Sequence, residues 1–265
     1  MGERAGYLLV ALIVAVAVFG PLLPMADPLG TDVPAALMPP GAAHPFGTDH
    51  LGRDLLARVV VAARLDLGLA VLAVALAAGF GAVAGAVAGW FGGWGDRVAG
   101  WVVDLMLALP IYLLAMVLAV GMGNGLAVVV LATAMVNVPF FLRLVRTEVA
   151  RQRRSLWVDA ARMGGVRDRR ILFAMVAPRV APLVVVQATT NLGWAVLNAA
   201  GLSFIGIGVR PPTPEWGILI AEGSRFLASG HWWLVVFPGA ALAVSVLGFH
   251  LAGDALRDRL SRAPA

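Results

Sequence analysis

The chain has 265 residues, of which 60% are hydrophobic and 13% charged, with a mean hydropathy of +0.88. Soluble domains carry about 25% charged and about 45–50% apolar residues, so composition excludes a soluble globular protein and points to a membrane protein. There is no cysteine, and all 20 basic residues are arginine. Disulfides, thiolate metal sites and any chemistry that needs a lysine, a phosphate-binding P-loop included, are therefore excluded.

A helical span needs about 20 mostly apolar residues. On that criterion the chain-order reading gives an all-α, polytopic bundle of six transmembrane helices. They fall at about 6–25, 67–90, 99–120, 125–143, 181–205 and 231–252, within a single membrane domain over 1–265. The first stretch is read as a span rather than a cleavable signal, because its small-residue cleavage pattern is poor and an even number of spans fits the charges better. With the N-terminus inside, fifteen arginines fall on inner segments and five on outer ones. The positive-inside rule then puts both termini in the cytoplasm, and the arginine excess needs no nucleic acid to explain it.

Between the first two spans lies an outer loop whose Pro28, Pro34, Pro39 and Pro40 forbid regular structure. It continues HPFGTDHLGRDLLAR, where Thr48 or Asp49 is a natural helix cap. Leu51, Leu55, Leu56, Val59 and Val60 share a face that Arg53, Asp54 and Arg58 avoid, which predicts an amphipathic helix over about 49–64 lying at the membrane surface, with Asp54 and Arg58 as an i,i+4 pair. His44, Asp49, His50 and Asp54 are not expected to bind metal, since the two histidines do not share a helical face. In the second span Gly81, Gly85 and Gly89 form a small-xxx-small face for close helix packing. In the third, Asp104 is expected to be satisfied by Arg97 or by the helix end.

The inner loop at about 144–180 is the most informative segment. Ser155 can cap a helix through Met163, Gly164-Gly165 supplies a sharp stop, and Val166–Val176 can form a second helix that Pro178 terminates. A DNA-reading helix-turn-helix has a similar outline, but a pair held between two spans at the bilayer is badly placed to enter a groove. A docking element for a cytoplasmic partner is the better reading. Polar residues inside spans are the candidates for a translocation path: Asn137 in the fourth span and Gln187, Thr190, Asn191 and Asn198 in the fifth. Interhelical hydrogen bonding is the competing role for each. His250, near the inner end of the sixth span, is read as an interface residue.

Asp159-Ala160-Ala161, Gly165, Ile171 and Pro178 resemble, in spacing, the EAA loop of ATP-binding-cassette importer permeases. Four further blocks are similar to the dipeptide/oligopeptide/nickel branch: HPFGTDHLGRDLLAR at 44–58, DLMLALP at 104–110, LSFIGIGVRPPTPEWG at 202–217 and GDALRDRL at 253–260. Asp159 stands where the loop usually has Glu, and Ala177 where it usually has Leu. The resemblance implies a C-type permease subunit in the bacterial cytoplasmic membrane, importing peptides or a nickel chelate. It implies a heterodimer with a homologous permease, surrounded by membrane lipid, and two cytoplasmic ATPases coupled through Asp159, Ala160, Ala161, Gly165, Ile171 and Pro178. It implies an extracytoplasmic binding protein meeting Gly47, Thr48, Asp49, Gly52, Arg53, Asp54 and Leu55. ATP and Mg would then be bound by the partner ATPases, with no catalytic residue, cofactor or metal in this chain. The alternative from the residues alone is an ion-gradient-driven secondary transporter or channel. It usually needs paired ionisable groups near the midplane, which these spans hardly offer.

Overall fold

The computed structural model describes residues 2–262, which are helices joined by loops. The helices are α1 (Gly2–Phe19), α2 (Leu55–Phe91), α3 (Gly93–Ala108), α4 (Ile111–Met122), α5 (Leu126–Arg153), α6 (Leu156–Met163), α7 (Asp168–Arg170), α8 (Ala177–Phe204), α9 (Trp216–Ser224) and α10 (Trp233–Arg262). Five helical stretches among the described residues are long and apolar enough to cross a membrane, and the bent pair α3–α4 makes a sixth when counted as one span.

The centre of the bundle is α2, which packs along α5 and then against α8, while α1 lies on α10 and α2 and α10 covers α8 and α9. The α2–α5 seam is where the glycine face works. A Cβ at Gly81 would stand 2.8 Å from Val138 O and one at Gly85 2.6 Å from Leu142 O, so only glycine permits this approach. Gly89 meets Arg146 in the same way. The packing expected of these glycines is observed.

Three expectations about helix ends change. First, α2 is one 37-residue helix, about 55 Å long at 1.5 Å per residue, and the outer amphipathic segment is its first turns rather than a separate surface helix. Its cap is Asp54, which accepts a hydrogen bond from Ala57 N at 2.8 Å, and not Thr48 or Asp49. Second, the third span is broken: α3 and α4 meet at 93°. Pro110 holds Leu109 in an extended conformation (ψ 125°), which a helix cannot continue through. Third, Pro178 terminates nothing. A π-helical stretch over Ile171–Val176 runs straight into α8, with Pro178 in its first turn, so the helical path extends from Asp168 to Phe204. The wider π turn accommodates a residue that lacks an N–H and crowds the preceding turn.

Candidate functional site

At one end of the bundle, the one expected to face the cytoplasm, α6 stands off as a short helix between the ends of α5 and α7. Ser155 occupies its N-cap position, as expected, although its hydroxyl donates to Gln152 O of α5 at 2.6 Å and accepts from no N–H of α6. Gly165 has φ +77° and turns the chain back, the left-handed conformation that favours glycine. One side of α6 is anchored. Val158 is fully buried with Val145, Val149, Ile171, Leu172, Val176 and Trp90 in a separate small core. Arg162 lies over the Trp90 ring at 5.3 Å and Arg179 over Trp157 at 4.4 Å. The other side is open: Leu156 and Met163 are 87% and 84% exposed, and Asp159 and Ala160 are exposed between them. Asp159 and Asp168 both engage Arg162, at 3.4 and 3.0 Å. Of the six residues expected to couple to an ATPase, Ile171 is therefore an anchor in the core, Ala161 is half-buried, and Asp159, Ala160, Gly165 and Pro178 face outward.

At the opposite end, the one expected to face outward, the loop before α2 is wound tightly onto the bundle. Thr48 Oγ1 donates to Ala35 O and accepts from Met38 N. Asp49 Oδ1 accepts from Leu51 N and Arg53 N, and its Oδ2 pairs with Arg53 Nε at 2.6 Å. Gly47 and Gly52 adopt positive φ (+77° and +75°), and a Cβ at Gly52 would collide with the Asp32 carbonyl. Leu55 N closes the turn onto Gly47 O at 3.1 Å.

The charges here are buried rather than solvated, which corrects the amphipathic picture. Arg58 is 0% exposed; its Nη2 donates to Glu222 of α9 at 3.2 Å and its Nε lies 3.6 Å from Asp49. Arg53 also reaches Glu222, at 3.5 Å. The expected Asp54–Arg58 pair does not form, because Asp54 caps α2 and binds His44 Nδ1 at 2.8 Å. His50 stacks on Phe226 instead of joining them. Sequence reasoning missed Glu222, the acid that makes burying two arginines tolerable. It lies 164 residues from Arg58, and no local spacing announces it.

The span-polar residues divide. Asn137 and Asn191 are buried inside the chain, Asn137 donating to Thr133 O at 2.7 Å and Asn191 accepting from Gln187 at 2.8 Å. Gln187, Thr190 and Asn198 are half-buried. Asp104 is exposed and lies 3.7 Å from Arg143, not Arg97, while Asp96 holds Arg146. The His250 ring sits over Gly193 and edge-on to Trp194, with Nδ1 2.9 Å from Val246 O.

Residues 81–264, which include α5 through α9 and the inner loop, match the family described as the binding-protein-dependent transport system inner membrane component. The chain belongs to this family. It is thus a multi-pass inner-membrane permease subunit of an ATP-binding-cassette importer, which works with ATPase and binding-protein partners and is not itself an enzyme. Membership also sets aside the ion-gradient alternative. The permease is 42% identical over 265 residues to the dipeptide transport system permease protein DppC of Escherichia coli K12, covering 98% of this chain and 88% of the relative. It is 39% identical over 255 residues to DppC of Alkalihalophilus pseudofirmus, covering 96% and 84%. It is 37% identical over 252 residues to the probable D,D-dipeptide permease DdpC of Escherichia coli K12, covering 95% and 84%. These relatives are named for dipeptides, and the nickel expectation finds no support among them.

Proposed function

We propose that this permease carries dipeptides or short peptides inward, with both termini in the cytoplasm and α6 seated in a partner ATPase that hydrolyses ATP. Two such ATPases, a homologous second permease and an extracytoplasmic binding protein meeting the 47–55 turn complete the assembly. The observation that supports the coupling role best is the two-sidedness of α6. Val158 fixes it to the small inner core, while Leu156 and Met163 present unpartnered apolar surface on an otherwise arginine-rich face. A helix held on one side and open on the other moves as a rigid body when its free side is gripped, because packed interfaces have discrete arrangements. The substrate reading draws on the names of the relatives, and it agrees with the amides and hydroxyls along α5 and α8.

The natural absence of cysteine makes the test direct. A single cysteine at Ala160, which is exposed, should crosslink to a cysteine on the ATPase surface, with a yield that changes with nucleotide. Gly165→Trp should uncouple ATP turnover from uptake while leaving the spans folded, since the positive φ at 165 is strained for any side chain. No crosslink in an assembled complex, or a fully coupled Gly165→Trp transporter, would remove the assignment.

A further inference from the structure

The outer half of the bundle contains a second buried charge cluster, separate from the Asp49–Arg53–Arg58–Glu222 group. Asp66 on α2 is 1% exposed, and Glu215, the N-cap residue of α9, is 0% exposed. Each has one oxygen satisfied by the backbone: Trp216 N donates to Asp66 Oδ2 at 3.1 Å, and Ile218 N donates to Glu215 Oε2 at 2.8 Å. Trp216 is locked in place besides, its ring N–H donating to Val59 O at 2.9 Å. The remaining oxygens, Asp66 Oδ1 and Glu215 Oε1, are buried without a donor when both acids are drawn as carboxylates. Yet Asp66 accepts from the N–H of the residue that follows Glu215, so the two buried acids meet at one peptide unit, and the Ser203 hydroxyl at the end of α8 is also buried without a partner.

Two carboxylates buried side by side repel, and burial of each charge adds a desolvation cost. Nothing basic relieves them: among the described residues no arginine or histidine lies within 4 Å of either acid. The charged side chains on the surrounding elements are engaged or distant. Arg58 of α2 is committed to Glu222 and Asp49, Glu222 of α9 to Arg53 and Arg58, and Arg64 of α2 is exposed. On α5, α8 and α10 the charged residues begin at Arg143, end at Arg179 and begin at Asp254 respectively, towards the opposite, inner ends of those helices. A proton on one carboxyl supplies the donor that the orphaned oxygens lack and removes one of the two charges.

We propose that Asp66 and Glu215 form a proton-binding site, in which one proton held between two buried carboxyls fastens α9 to α2. Loss of that proton would leave two like charges in a sealed space and drive α9 away from α2. Burial accordingly holds the Glu215 carboxyl above the usual carboxylate range. The site concerns this chain alone and depends on no substrate assignment, so its failure would leave the peptide reading intact.

Infrared difference spectroscopy on the full importer in lipid nanodiscs tests this. At neutral pH the wild-type complex should show a protonated-carboxyl C=O band that shifts when the permease carries carboxyl-¹³C aspartate or glutamate, a measurement that needs no variant. Asp66→Asn and Glu215→Gln should each abolish the band, and Asp27→Asn, on the exposed outer loop, should leave it unchanged. A wild-type spectrum without an isotope-sensitive band, or a band that survives both buried substitutions, would overturn the proposal. So would a band that appears only after sodium is withdrawn, since a metal cation would then be the natural occupant.

Discussion

At the residue scale, the outer end of the permease depends on a few side chains whose surroundings leave them no substitute. Arg58 is fully buried between Asp49 and Glu222. Arg58→Ala would leave two partly desolvated carboxylates sharing Arg53, and breaking a buried pair in this way costs about 3–5 kcal/mol. The expected result is a sharply lower unfolding temperature for the purified permease complex, with Arg58→Lys recovering only part of it because Lys lacks the planar fork. Glu215 makes a pH prediction. An acid held above its ordinary range stabilises the fold most when both folded and unfolded forms are protonated, and loses that contribution as pH rises through its folded titration. Thermal stability should therefore fall as pH is raised from about 4, the ordinary glutamate range, and Glu215→Gln should flatten that slope. An unchanged pH profile in the variant would contradict it.

Helix boundaries are where sequence and structure part company at the element scale. The apolar stretches coincide with five long helices and with the bent pair α3–α4, and the turn signals at Gly164-Gly165 and Gly121–Gly125 marked real breaks. Prolines were read less well, because their effect depends on what precedes them. Pro110 bends the third span by 93° since Leu109 is held extended, whereas Pro178 is absorbed by the π turn at 171–176. Pro110→Ala should straighten the α3–α4 pair, which two spin labels at exposed Trp101 and Val117 would report as a lengthened distance. The arginines at 53 and 58 were legible as charges but not as buried ones, for their fate depends on Glu222, which only the folded chain brings near. In the inner loop the first helix and the glycine turn were legible, because both are local signals, whereas the run of the second helix on into α8 was not.

On the scale of the whole molecule, the α2–α5 seam sets the architecture. Its two backbones approach so closely at Gly81 and Gly85 that a single side chain must push one helix from the other. Gly85→Leu should destabilise the subunit by at least the overpacking cost of about 1–3 kcal/mol, seen as loss of the folded permease from detergent extracts at moderate temperature. A folded, normally active Gly85→Leu protein would show that the seam is more forgiving than its geometry.

The helical path from Asp168 to Phe204 has a consequence for timing. Its 37 residues make a rod about 55 Å long, with Ile171 packed in the small core with Val158 of α6 and Ser203 at the far end. Side chains and loops can absorb a small displacement, but a helix is stiff along its axis, and the π turn near its inner end is the main place where it can yield. On the proposed docking of α6, a tilt that the π turn does not absorb reaches the far end of the rod within the same movement. The two ends of this helical path then keep one clock.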